Sequence, residues 1–172
     1  MKNWYLIGLA VGLLVGGVLI LVNAMARRKN KECQWDERQI LERGECLAVG
    51  FSAIVFSNVL LAIIPFFTLE SIFETPEMGN IVSVIVGIGA FAISAILKDA
   101  YFSINENKKQ FYFTGIALAI MTGIGSVRYI MENMVIVDGK LSDRSLIIFV
   151  FLLWVVLMIT AVVHSRKKDD EE

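Results

Sequence analysis

Leu146-Ile147-Ile148-Phe149-Val150-Phe151-Leu152-Leu153-Trp154-Val155-Val156-Leu157-Met158-Ile159-Thr160-Ala161-Val162-Val163 runs without one charged side chain, between Arg144 and Arg166. A run of about 18 or more apolar residues is long enough to cross the hydrocarbon core of a bilayer as a helix. Working outward, Trp4 to Val22 (extending to Met25), Leu47 to Leu69, Ile81 to Leu97 and Phe111 to Val127 (extending to Met131) read the same way. The runs are continuous rather than alternating, so helices with internally satisfied backbones are expected in place of barrel strands. The expected fold is an all-α, polytopic membrane helix bundle. It forms one integral membrane domain over 1–172, with five transmembrane helices at about 4–25, 47–69, 79–97, 111–131 and 145–164.

Composition agrees. Of 172 residues, 56% are apolar and 19% charged, with a mean hydropathy of +0.67. Soluble domains run near 45–50% apolar and about 25% charged. The formal net charge of -1 supplies no basic field for nucleic acid phosphates, so the expected partner is the lipid bilayer and not nucleic acid.

Lysine and arginine set the expected orientation. Arg27, Arg28, Lys29, Lys31, Arg38 and Arg43 precede the second run, Lys98, Lys108 and Lys109 follow the third, and Arg166, Lys167 and Lys168 follow the fifth. The intervening connection, Glu70 to Asn80, has three glutamates and no cation. The positive-inside rule with five spans places the N-terminus outside and the C-terminus in the cytoplasm. Ala24-Met25-Ala26 has the small-residue spacing of a signal-peptide cleavage site, but the apolar stretch is too long and its cationic flank lies on the wrong side.

Close backbone approach through small residues is the main glue between helices in lipid. Gly8, Gly12 and Gly16 form such a ridge on the first run, Gly79, Ser83 and Gly87 on the third, and Gly115, Ala119 and Gly123 on the fourth; Gly50, Ala53 and Ser57 make a looser set on the second. These ridges pack the bundle internally or, on the first helix, face a membrane-protein partner or a second copy. The fifth run lacks small residues until Thr160 and Ala161, which suggests a peripheral helix.

Ionisable side chains deep in a span cost roughly 2.5–3.5 kcal/mol and are functional candidates by default. The cores of these runs hold none. Asn58 is the only carboxamide deep within a span and is expected to hydrogen-bond between helices. Arg128 and Glu132, spaced i, i+4, are placed to pair at the outer end of the fourth run. A polar lining for a small channel would have to come from Asn58, Ser83, Ser94 and the Arg128/Glu132 pair. His164 is the single histidine, and Cys33 and Cys46 match no zinc or dithiol spacing, so no metal or other cofactor is expected and the chain reads as a non-enzyme. A lipid-directed enzyme would need carboxylates such as Asp99 or Glu132 to hold a metal at the interface.

The cytoplasmic segment 27–46 contains Trp35-Asp36-Glu37-Arg38-Gln39-Ile40-Leu41-Glu42-Arg43-Gly44. Asp36 is an N-cap candidate with Gln39 as its capping-box partner, and Arg38 is spaced to pair with Glu42. The stretch is expected to form a short amphipathic helix feeding the next span, with Trp35, Ile40 and Leu41 at headgroup level and Arg27 to Lys31 on anionic lipids. The Asp36-Glu37-Arg38-Gln39 phrase, with Arg43-Gly44 and a following span, resembles the juxtamembrane motif of small multi-pass membrane proteins of unknown function in Gram-positive bacteria. That resemblance implies a bacterial cytoplasmic membrane and no particular activity. Trp35, Asp36, Glu37, Arg38, Gln39 and Arg43, with Gly8, Gly12 and Gly16, are the expected interaction residues of an accessory, immunity or regulatory membrane protein. A subunit of a small oligomeric channel or transporter is the alternative.

Overall fold

A computed structural model of the chain describes residues 35–68, 70–103 and 108–171, besides Gly17. Within them the apolar runs form α1 (Glu37–Thr68), α2 (Pro76–Leu97), α3 (Lys108–Met131) and α4 (Leu146–Glu171). Between α3 and α4 lie β1 (Ile136–Val137), β2 (Lys140–Leu141) and a 3-10 turn, Asp143–Ser145. Helices long and apolar enough to cross a membrane therefore number four among the described residues, not the five expected. The fifth expected span rested on the hydropathy of residues 4–25, which lie outside the described residues. So do Gly8, Gly12 and Gly16, Ala24 to Ala26, Cys33 and the cations Arg27 to Lys31.

The odd parity that paired an outside N-terminus with a cytoplasmic C-terminus falls with the fifth span, whereas the cation asymmetry between the loops does not depend on it. The start of α1, the corner after α2 and the end of α4 meet at one end: Gln39 bonds to the corner and His164 reaches the same corner. At the opposite end, the loop after α1 joins the hairpin before α4, with Glu74 N–H donating to Leu141 O (2.9 Å) and Leu141 N–H to Ile72 O (2.8 Å).

Local sequence explains where the helices stop. α2 begins with Pro76, whose missing N–H costs nothing in a first turn. It ends in a Schellman motif in which Asp99, at φ 54°, occupies the left-handed position, and Ala100 N–H reaches Ala95 O at 2.8 Å. α3 ends the same way on Asn133, φ 52°, with Met134 N–H on Tyr129 O at 3.0 Å. The β1–β2 hairpin turns on Asp138-Gly139, both with positive φ, as a type I′ turn requires.

The helices form a row. α1 packs on α2, α2 also on α4, and α4 on α3, with no comparable contact between α1 and α3. The small-residue ridges explain the order. A Cβ on Gly50 of α1 would stand 2.9 Å from both Gly87 O and Phe91 Cβ of α2, so these two backbones touch only because both glycines are bare. α4 is the second interior helix and not the peripheral one expected. Its bulky side chains fill the notches its neighbours leave: Leu153 lies over Gly89 of α2, while Ile147, Phe151 and Met158 lie over Gly125, Gly123 and Gly115 of α3. Small residues were needed on one partner only.

Two buried clusters fix the ends of the row. Ala92, Ile96, Leu157 and Ala161 join α2 to α4 near the corner, and Phe73, Met78 and Val82 close the hairpin end against Leu141 and Phe149. The outward faces of α1 and α3 are apolar and exposed, Phe66 and Phe67 by 82% and 83%, as lipid-facing helices require.

Candidate functional site

Polar side chains of three segments converge where α1 begins. Gln39, in the first turn of α1, has two jobs. Its Oε1 accepts the Asp36 backbone N–H at 3.3 Å, which is the Gln39 half of the expected capping box. Its Nε2 donates to Asp99 O at 2.9 Å and to Phe102 O at 3.3 Å, fastening α1 to the α2–α3 corner.

One and two turns further along the same face, Glu42 and Glu45 both reach Lys98, at 2.7 and 2.5 Å. Hydrogen bonds to Glu42 and then Glu45 hold the Lys98 ammonium well above the usual lysine range. The pairing expected between Arg38 and Glu42 is thus displaced: Lys98, on the neighbouring helix end, takes Glu42, and Arg38 stays exposed. Below this clasp Ser94 Oγ–H donates to Sγ of the fully buried Cys46 at 3.2 Å, a contact between α2 and α1.

The corner is anchored on its other side. Tyr101, Phe102, Phe111 and Tyr112 form a chain of edge-to-face contacts with centroids 5.0–5.8 Å apart, and Tyr112 O–H donates to Ala161 O of α4 at 3.3 Å. His164 Nε2 lies 3.1 Å from Asp99 Oδ1. Asp99 therefore receives α1 on its carbonyl and α4 on its carboxylate. Beside the junction, the Arg43 guanidinium stacks 4.0 Å over the half-buried Trp35 ring.

Of the residues singled out in the sequence, Trp35, Asp36, Gln39 and Arg43 gather at this end, while Glu37, Arg38 and Gly44 are exposed on α1. The segment is no separate amphipathic helix: Glu37–Thr68 is continuous. Lys98, Asp99, Glu45 and His164 were not grouped from sequence. The available signal was that their segments share the cation-rich loops.

The residues considered for a polar path do not come together. Asn58 Nδ2 donates to Ile54 O of its own helix at 2.9 Å and makes no cross-helix bond of the kind expected. Ser83 is fully buried and donates to Gly79 O, one turn back. Arg128 and Glu132 do pair, at 3.0 Å, but on the exposed opposite end of the row.

One groove of about 650 Å³ runs between α3 and α4, lined by Ile116, Ile120, Gly123, Phe151, Val155 and Met158 among others, all apolar. Among the described residues, no group of three or more His, Cys, Asp or Glu is placed to hold a metal. What the geometry supplies is a mechanical junction: three helix ends tied at one level through Gln39, Lys98 and Asp99. In comparisons with known proteins, the chain matches no protein-family model, no curated protein and no solved structure.

Proposed function

We propose that this chain is a non-catalytic component of a bacterial plasma membrane with an accessory, immunity or regulatory role, working through contacts of its helices in the bilayer and of its tied, cation-rich end in the cytoplasm. The observation that carries the reading is that polar side chains within the helices are satisfied locally and line no common path. Asn58, Ser83, Thr122, Ser126 and Thr160 each donate to a carbonyl within their own helix, and Ser94 donates to Cys46. That leaves the apolar flanks and the two ends as surfaces for recognition.

Orientation follows from charge. Arg38, Arg43, Lys98, Lys109, Arg166 and Lys167 belong to the end where α1 begins, whereas the hairpin end has Glu70, Glu74, Glu77, Glu132, Asp138 and Asp143 against Arg128, Lys140 and Arg144. By the positive-inside rule, the Gln39–Asp99–His164 end is cytoplasmic. The resemblance of the Asp36-to-Gln39 phrase favours a bacterial cytoplasmic membrane.

The test is site-specific photocrosslinking in native membranes. A photoreactive residue at Ile120, in the α3–α4 groove, and another at exposed Leu41, beside the junction, should each capture a discrete protein band identifiable by mass spectrometry. Lipid adducts alone at both positions would refute the interaction role. Solute flux through vesicles containing the purified chain, abolished by Asn58→Leu, would install the channel reading instead.

A further inference from the structure

Asp99 occupies a backbone position that usually goes to glycine, and its side chain is used. At φ 54° a side-chain-bearing residue pays roughly 1 kcal/mol over glycine. A glycine there would close the helix as well, but it would leave His164 with no carboxylate 3.1 Å away. His164 is the only histidine in the chain and stands on the last turns of α4, its side chain about three-quarters covered. We propose that the His164–Asp99 pair is a pH-responsive latch, holding the end of α4 to the α2–α3 corner more firmly when the imidazole is protonated. This goes beyond the interaction reading and does not depend on any partner.

The chemistry needs only one proton. Imidazole is the side chain whose charge changes between about pH 5 and 8. Neutral, its Nε2–H donates to the ionised Asp99 carboxylate. Protonated, it adds the attraction of opposite charges to that bond. The tie is therefore stronger at pH 5.5 than at pH 8.

The other ionisable groups at the junction come from every element that meets there. Glu42 and Glu45 of α1 are taken by Lys98, whose raised pKa keeps it charged throughout this range. Tyr101 stands in the corner, Lys109 and Tyr112 on the first turns of α3, and Arg166 and Lys167 follow His164 on α4; Asp99, Tyr101, Lys109 and Lys167 each take part in a further contact. Glu106 belongs to the same loop, outside the described residues. Lysine, arginine and tyrosine do not titrate between pH 5.5 and 8. The Gln39 bonds to the corner carry no titrating group, so α1 stays fastened while α4 responds.

Hydrogen exchange of the full chain in lipid nanodiscs, corrected for intrinsic rates, tests this at pH 5.5 and pH 8. Amides of residues 98–103 and 160–166 should be about threefold better protected at pH 5.5, a modest factor because Asp99 is half exposed and its charge screened. His164→Gln keeps a donor and Asp99→Asn keeps a residue that tolerates the left-handed backbone, so both preserve the fold. Each should reduce the ratio to about one while α1 protection is unchanged. A ratio of one in the wild type, or a threefold ratio that persists in either variant, overturns the latch; if one variant fails to accumulate, the other decides.

Discussion

Gly50 and Gly87 are the residues on which the α1–α2 contact turns. Because a Cβ on either would enter the other's carbonyl, and on Gly87 would also enter the Ile54 side chain, Gly87→Ala should destabilise the chain by about 1–3 kcal/mol. Gly44→Ala, with open space around the new methyl, should be neutral or stabilising by up to about 1 kcal/mol. Unfolding in a graded mixture of mild and denaturing detergents measures both, and equal effects would contradict the tight crossing. The glycine spacing was legible in sequence as a ridge. What it faced was not, because a ridge states only that something comes close. Asn58 shows the same limit: its depth was readable, but a carboxamide one turn above the Ile54 carbonyl satisfies itself locally, which composition does not reveal. Asp138-Gly139 is a contrary case, a hairpin signal present in the sequence and overlooked between two louder apolar runs.

At the scale of elements, hydropathy marks where lipid lies and not where a helix begins. The second apolar run starts near Leu47, yet α1 starts at Glu37, capped through Gln39 and clasped through Glu42 and Glu45. Its 32 residues extend about 48 Å at 1.5 Å per residue, against roughly 30 Å of hydrocarbon. The surplus belongs to the charged first turns. In a cysteine-free background, Glu37→Cys and Leu41→Cys should therefore react with a membrane-impermeant maleimide supplied on the cytoplasmic face, and Phe56→Cys, one of the exposed apolar positions further along, should not. Reaction at Phe56→Cys would mean that this flank meets water. The interior place of α4 is hidden in the sequence for a related reason. Large side chains such as Met158 and Phe151 look lipid-facing until the bare backbones of Gly115 and Gly123 are set opposite them.

Across the described residues, a row has a consequence a closed bundle lacks: an end helix packs on one neighbour. α3 packs on α4 through Met158 over Gly115, Phe151 over Gly123 and Ile147 over Gly125, and its corner is held by Tyr112 on Ala161. The α1–α2 pair rests instead on Gly50, Gly87 and the Lys98 clasp. Met158→Ala empties one notch on the α3 side and touches nothing in α1. In lipid the loss is mostly packing, without the transfer from water that enlarges such costs in soluble cores, so about 1–2 kcal/mol is expected. That cost should fall on α3 alone. Hydrogen exchange in nanodiscs should show residues 111–131 of Met158→Ala opening faster by tenfold or so, at about 1.4 kcal/mol per decade, while residues 46–64 keep their wild-type protection. Equal loss in both halves would mean that the four helices unfold as one cooperative unit and that the row is closed by contacts between its ends.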